Sequence, residues 1–289
     1  MTNYSRGGQG SFFVISNYNY DCSELLQSIQ SYVIYDQSNN GAIGTYSTSN
    51  GSCIKARHTG HNISDYYTFF INNYRELPET IGLIKGNIFP RHMTKKAFLE
   101  AKDNKYYTLL HSEEAARSVG NGFFRHDPSH YLEYNNSWYV KYHPHWFFQS
   151  LNEFLAFVYI EPIKPLYVLF SPGACYIVNR GQVLKYPQEF YQNILPLVSY
   201  SNPVNPFPSE AHMLERICHI AYTSSYKLNT YMSHRDAFLE HLMKHAMEKK
   251  ATQRLFTGLP LPINSAYSRI KNRFTHLKKQ ANMCILVVG

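Results

Sequence analysis

Short apolar runs separated by a helical pattern open the chain. The run Phe12–Ser16 leads into the polar stretch Asn17–Asp21, and the run Tyr32–Asp36 ends in an acid that a Gln-Ser-Asn-Asn-Gly turn follows. Such runs, bounded by turn residues, predict buried strands. Residues 23–31, between them, predict a helix. Strand, helix and strand in this order are typical of a parallel sheet.

The same alternation continues along the chain. Thr80–Ile84 predicts a third strand, while Leu166–Phe170 and Ala174–Val178 predict two more. Helices are predicted over 187–195 and after the proline-rich residues 203–208. Before the third strand, apolar residues recur at helical spacing up to Pro78: Ile63, Tyr66, Tyr67, Phe70, Ile71 and Tyr74. We therefore predict an α/β fold with a mostly parallel central sheet flanked by helices.

Charge divides the chain into two predicted parts. The formal net charge is +8, and residues 224–289 hold 11 of the 28 basic residues but three of the 20 acidic ones, so the rest of the chain is neutral. A broad apolar stripe near residues 238–247 and a basic segment over 268–279 predict helices in this tail. We predict a main domain over 1–223 and a basic helical C-terminal extension over 224–289.

Composition narrows the class of protein. Aromatic residues make up 16% of the 289 residues, a content that demands burial and excludes a disordered chain. Five dispersed cysteines without a Cys-x-x-Cys pair indicate a reducing compartment. The polar first ten residues lack the apolar segment of a secretory signal, and no apolar run reaches membrane-spanning length. We expect a cytoplasmic protein, peripheral to the inner face of a membrane.

The polar strand ends are the candidate chemistry. In open parallel sheets ligands bind at the carboxyl ends of the strands. Asn17 and Asp36 end two of the predicted strands, and the third is followed by a segment that offers cations and amides to an anion such as a diphosphate. Its candidate residues are Lys85, Asn87, Arg91 and His92. A charged surface loop is the alternative interpretation of this segment.

Together these segments resemble the GT-A class of glycosyltransferases and, more closely, an uncharacterised glycosyltransferase-like family. The resemblance covers roughly residues 12–222. No single block is specific, but their order along the chain matches. The blocks are Val14–Asn19 with Tyr32–Asp36, Thr59–Tyr66 continuing into Ile71–Pro78, Phe170–Tyr191, and Glu210–Arg216.

The resemblance implies a GT-A-like, Rossmann-like domain that transfers a sugar from a nucleotide-sugar donor to a hydroxyl acceptor. Glu210, at a helix start where the dipole favours a carboxylate, is the candidate catalytic base, with helix capping as its alternative role. His61, Asn62, Glu215 and Arg216 join the candidate substrate-binding residues. For Glu215 and Arg216, buried ion pairs with other partners are the slightly preferred alternative.

One departure from the GT-A pattern affects the metal. Most such enzymes hold Mn²⁺ or Mg²⁺ with an Asp-x-Asp motif, and this chain has none. The corresponding stretch reads Lys85–Phe89, and Asn62 stands where similar sequences often have an acid. Either Lys85, Arg91 and His92 neutralise the leaving diphosphate without metal, which we favour, or the domain binds sugar nucleotides poorly or not at all.

Two rival functions remain open at this stage. The missing acids are consistent with a binding or structural protein that keeps the fold without catalysis. The basic tail allows nucleic-acid binding, which is less favoured because few aromatic residues accompany its charges. Residues 268–279 equally suit an anionic membrane surface, where a lipid-linked or glycan acceptor in polysaccharide synthesis would be found.

Overall fold

The computed structural model describes residues 10–38, 51–59, 61–110, 123–127, 130–135, 147–199 and 210–257. The proline-rich residues 203–208 and the basic segment 268–279 lie outside these residues. The strands are β1 (Phe12–Asn17), β2 (Ser31–Asp36), β3 (Gly51–Lys55), β4 (Thr80–Lys85), β5 (Thr108–Leu109), β6 (Phe123–Asp127), β7 (His130–Tyr134), β8 (Tyr167–Phe170) and β9 (Tyr176–Asn179).

Six of these strands form a central sheet in the order β3-β2-β1-β4-β9-β5. The first four strands of this order pair in parallel, and β9 pairs antiparallel with both β4 and β5. The predicted α/β class with a mostly parallel sheet is therefore confirmed. Strand β3 was not predicted, because half-buried Gly51 and Ser52 and exposed Ile54 give it no continuous apolar run.

The helices are α1 (Ser23–Leu26), α2 (Ile63–Asn72), α3 (Ile88–Arg91), α4 (Lys95–Ala101), α5 (Leu151–Val158), α6 (Arg180–Leu184), α7 (Gln188–Ser199), α8 (Glu210–Thr223) and α9 (Arg235–Thr257), with 3₁₀ turns at Tyr74–Glu76 and Thr230–Ser233. They cover both faces of the sheet. Val14 points into a core shared with α2, α7 and α8, whereas Phe13 and Ile15 join a second core with Leu25 and Phe98. Burial on both faces explains why the central strands are continuously apolar.

A second, smaller sheet has the antiparallel order β6-β7-β8. Strand β8 comes immediately before β9 along the chain, yet the two strands belong to different sheets. Helix α8 packs against β8. The segment Ser171–Ala174 then leads the chain from this small sheet back into the central one, and it does so at the carboxyl edge of β4.

The long helix α9 lies against the main body. Its residues Phe238, Leu242 and Ala246 are buried in the larger core, and His245 Nε2 lies 2.9 Å from Glu153 Oε1 on α5. Within the residues that the structure describes, no helix combines the length and apolar character needed to cross a membrane.

Candidate functional site

The carboxyl ends of the three innermost parallel strands form one row. Asn17 at the end of β1 is in register with Asp36 at the end of β2, and Ser16 is in register with Lys85 at the end of β4. The pairing continues one residue further, since Gly86 N donates to Ser16 O over 2.9 Å. Sequence reasoning expected this row, and the structure brings Asn17, Asp36 and Lys85 to the same edge.

Asn17 occupies the middle of the row and is 1% exposed. Its amide Nδ2 donates to Tyr20 O over 3.0 Å, whereas its Oδ1 is buried and has no hydrogen-bond partner in the described part of the chain. A Cβ placed on Gly86 would lie 2.3 Å from that Oδ1 and 2.9 Å from Cys22 Sγ. Glycine at 86 therefore permits the close approach of β4 to the Asn17 side chain.

Asp36 stabilises the loops that follow β1 and β2 through hydrogen bonds. Its Oδ1 accepts from Ser38 N over 3.2 Å and from Ser38 Oγ over 2.5 Å, while Lys55 Nζ lies 3.7 Å from Oδ2. Ser38 Oγ in turn accepts from the backbone N of Asn19, whose φ is 53°. Asn tolerates this left-handed conformation better than most residues. The Asp36 carboxylate is thus committed to contacts within the protein.

Asp65 on α2 is a buried acid at the same edge that sequence reasoning missed. Its Oδ2 accepts from Ser16 Oγ over 2.5 Å and from Gln37 Nε2 over 2.7 Å. Burial raises the pKa of the Asp65 carboxyl to about 7; the hydrogen bonds from Ser16 and Gln37 lower it and the Asp36 charge raises it. Helical spacing was the available signal, because position 65 shares a face with the buried Phe69.

Gln37 extends this arrangement to the loop before α2. Its Oε1 accepts from Thr59 N over 3.0 Å and its Nε2 also donates to His61 O over 3.0 Å. Since the same amide contacts Asp65, one side chain ties the β2 end to the start of α2. We call this set the Asp36–Asp65 network; its members are Ser16, Asp36, Gln37, Ser38, Thr59 and Asp65.

A sharp turn at Gly173 gathers polar side chains at the other end of the row. Gly173 and Ala174 have φ values of 80° and 49°. A Cβ on Gly173 would lie 2.9 Å from Lys85 Cδ and 3.0 Å from His92 Nε2. Both polar groups of the Gly173 backbone are hydrogen-bonded: the carbonyl O accepts from Asn62 Nδ2, and the amide N donates to Glu215 Oε1. We call Asn62, Lys85, His92, Gly173 and Glu215 the Gly173 cluster.

Lys85 is the charge of interest in this cluster. It is half-buried, and its ammonium takes part in none of the ion pairs found among the described residues. His92 beside it is 5% exposed. A cation and an imidazole next to a tight backbone turn suit a phosphate or diphosphate group.

Arg216 is buried behind the cluster, next to the half-buried Glu215. Arg216 is 2% exposed; its Nε donates to Glu133 Oε2 on β7 over 2.7 Å, and its guanidinium carbon lies 4.9 Å from the centre of the Phe170 ring. Its Nη1 also donates to Glu215 Oε2 over 3.3 Å. The two neighbours therefore pair with each other as well as with other residues. The buried pair with Glu133 fits the structural alternative stated above for Arg216, whereas the ion pair of the half-buried Glu215 is with Arg216 itself.

The other candidate residues are less closely joined to the row. His61 meets His212 of α8 edge to face, with ring centres 4.9 Å apart. Asn87 is half-buried at the start of α3, and Arg91 at its end is exposed. Glu210, the first residue of α8, is fully buried, and its Oε1 accepts from Phe147 N over 2.6 Å.

The donor atoms of the Gly173 cluster do not fit Mn²⁺ or Mg²⁺. These hard cations take oxygen ligands, whereas Lys85 carries an ammonium, His92 approaches Gly173 with a ring nitrogen, and Glu215 is bonded to Gly173 and Arg216. Among the described residues, no group of three His, Cys, Asp or Glu side chains is arranged to hold a metal ion.

Comparisons with family models, with curated proteins and with solved structures find no match to this chain. The resemblance to glycosyltransferases therefore rests on the sequence blocks, and the role of each site residue rests on its geometry.

Proposed function

We propose that the chain is a GT-A-like glycosyltransferase that moves a sugar from a nucleotide-sugar donor to a hydroxyl acceptor in the synthesis of surface polysaccharide or another glycoconjugate. One observation carries the proposal: Lys85 and His92 converge on the Gly173 turn at the carboxyl edge of a parallel sheet, beside Asn17. Ligands of open α/β sheets bind at this edge.

In the proposed reaction the bond between the anomeric carbon and the diphosphate oxygen breaks, and a bond from the acceptor oxygen to that carbon forms. The electron pair of the broken bond stays on the diphosphate, whose added charge the Lys85 ammonium offsets, with His92 as a further donor. The acceptor proton must pass to a base. Lys85 would do in this chain what a metal does in enzymes with an Asp-x-Asp motif.

Glu210 is the proposed base, by its position at the start of α8 in the block that resembles the family. Its full burial and its bond from Phe147 N support a second candidate function, a protein that binds a nucleotide sugar without transferring it. Transfer to a base requires that the acceptor hydroxyl reach the carboxylate, so the two candidates differ in whether ligand binding opens a path to Glu210.

The acceptor is proposed to be a glycan or a lipid-linked sugar at the inner face of a membrane. The basic residues of 268–279 are proposed to contact an anionic membrane surface there. Binding of nucleic acid by the same tail is the less favoured role, since the charge of the rest of the chain balances.

The test has two steps with the full chain in the presence of a chelator. First, nucleoside diphosphates and nucleotide sugars are titrated by calorimetry. Second, any sugar nucleotide that binds is incubated with the protein, and release of the nucleoside diphosphate is followed by chromatography. The proposal expects binding and slow donor hydrolysis or transfer that Glu210→Gln abolishes.

A matched control is Glu189→Gln, since Glu189 also lies in the first turn of a helix but is exposed. This variant should keep the full rate. Binding without turnover in the wild-type chain would support the non-catalytic candidate. Absence of binding by every nucleotide tried would contradict both candidates.

A further inference from the structure

Exposed apolar side chains concentrate on one loop and the strand edge beside it. Ile160, Ile163 and Leu166 are 45%, 70% and 61% exposed, and Tyr134 and Tyr167 are each 42% exposed. The two tyrosines are paired across β7 and β8, with ring centres 5.7 Å apart. We call these five residues the Ile160 patch. Clustered exposure of this kind marks an interaction surface, whereas single exposed apolar residues do not.

The loop that carries the patch is held in place. Ile160 N donates to Lys227 O over 2.9 Å, and Ile163 N donates to Tyr226 OH over 3.3 Å. Asn135 binds the far end of the loop, through Nδ2 to Pro165 O at 2.6 Å and through N to Leu166 O at 2.9 Å. Pro162 and Pro165 restrict the backbone further. The aliphatic side chains are therefore exposed on a loop whose conformation is held by hydrogen bonds and prolines.

Positive charge borders the patch. Lys164 lies within the loop, and the carbonyl of Lys227 accepts a hydrogen bond from Ile160 of the loop. The side chains of both lysines are exposed. Lys185 is anchored nearby on Ser224 O, in the segment that leads to Lys227. Glu161 is the one acid of the loop. A second copy of the chain docked on this surface would bring these lysines towards one another, which disfavours self-association.

We propose that the Ile160 patch docks on an anionic lipid surface. Ile163 and Leu166 enter the boundary between headgroups and acyl chains, Lys164 and Lys227 contact lipid phosphates, and Tyr134 and Tyr167 lie at headgroup level, where amphipathic aromatic rings are favoured. None of the residues of this surface belongs to the tail segment 268–279, and the inference does not depend on the proposed sugar transfer.

The experiment is co-sedimentation of the full chain with vesicles. Vesicles of phosphatidylcholine with phosphatidylglycerol are compared with vesicles of phosphatidylcholine alone, at low and at high salt. The wild type should bind the anionic vesicles, less so at high salt. The double variant Ile163→Ser/Leu166→Ser should bind at least about ten-fold more weakly. Its two serines gain nothing on leaving water, whereas the two aliphatic side chains of the wild type do. Lys164→Gln/Lys227→Gln should lower the salt-sensitive part of the binding, on top of any share that the tail contributes.

Leu99→Ser/Tyr106→Ser is the matched control, since both residues are large, apolar and exposed outside the patch. It should bind as the wild type does. A tail variant with Lys271, Arg273, Lys278 and Lys279 changed to Gln separates the two basic surfaces. If only the tail variant loses binding, or if the wild type does not bind anionic vesicles, the inference is wrong. It is also wrong if Ile163→Ser/Leu166→Ser changes the sedimentation of the lipid-free chain from dimer to monomer.

Discussion

The Asp36–Asp65 network and the Gly173 cluster occupy the two ends of one row, yet they use their polar groups differently. In the network the carboxylates of Asp36 and Asp65 accept hydrogen bonds from other residues of the protein. In the cluster the backbone of Gly173 is bonded on both sides, while the Lys85 ammonium joins no ion pair among the described residues. This difference is why we propose the Gly173 cluster, and not the network, as the ligand site.

The largest expected effect comes from the support behind the Gly173 cluster. Arg216→Met leaves the buried Glu133 carboxylate without its cation and frees Glu215, which holds Gly173 N. Removing one partner of a buried ion pair costs about 3–5 kcal/mol. Urea unfolding should show a loss of this size, and Arg91→Met, at an exposed site, should be nearly neutral. A loss below about 1 kcal/mol in Arg216→Met would mean that the pair does not support the cluster.

The next effect concerns the pH dependence of the network. Because the folded-state pKa of Asp65 is raised to about 7 from 3.8, the folded protein keeps a proton that the unfolded chain has already lost. The free energy of unfolding therefore falls as pH rises from about 4 to about 7 and then levels off. Between pH 5 and pH 8 this carboxyl contributes a loss of roughly 2–3 kcal/mol.

Asp65→Asn removes that titration, so the variant should lose less stability over the same pH interval than the wild type. Urea unfolding at both pH values measures the difference. Equal losses in the two proteins would show that the Asp65 carboxyl titrates as it does in the unfolded chain, and the network would then not be a buried scaffold.

A smaller effect tests the junction between the two regions. Gly86→Ala would place its Cβ against Asn17 Oδ1 and Cys22 Sγ, so strand β4 or Asn17 must shift. We expect a loss of about 1–3 kcal/mol. Gly181→Ala in α6 is the matched control, because the added Cβ has no atom within 4 Å beyond its chain neighbours and the backbone of its own helix, and it should gain up to about 1 kcal/mol. Similar thermal stabilities of the two variants would contradict the close packing at Gly86.

Sequence reasoning predicted the α/β class with its mostly parallel sheet and the polar residues at the strand ends. Strands β1, β2 and β4 were predictable because burial on both faces makes them continuous apolar runs, and their polar ends fall in register in a parallel sheet. The Gly173 turn joins residues as far apart as Asn62 and Glu215, a contact that no local pattern encodes. Burial of Asp65 depends likewise on Ser16, 49 positions earlier in the chain.

Glu210 is a residue whose helix position was predictable and whose burial was not. Its place at a helix start predicted a carboxylate favoured by the helix dipole, and the structure has it there. Its buried carboxylate accepts a hydrogen bond from the backbone of Phe147, 63 positions away, and no local pattern encodes this long-range contact.

The most direct test of the account is the affinity of the chain for a nucleoside diphosphate when Lys85 loses its charge. UDP, GDP and ADP are titrated in turn into wild type, Lys85→Met and Lys96→Met by calorimetry in a chelator; Lys96 is an exposed lysine of α4. We predict that at least one nucleotide binds, that Lys85→Met weakens its affinity about ten- to hundred-fold with an unchanged melting temperature, and that Lys96→Met leaves the affinity unchanged. Equal affinities in the wild type and Lys85→Met would contradict the proposed site.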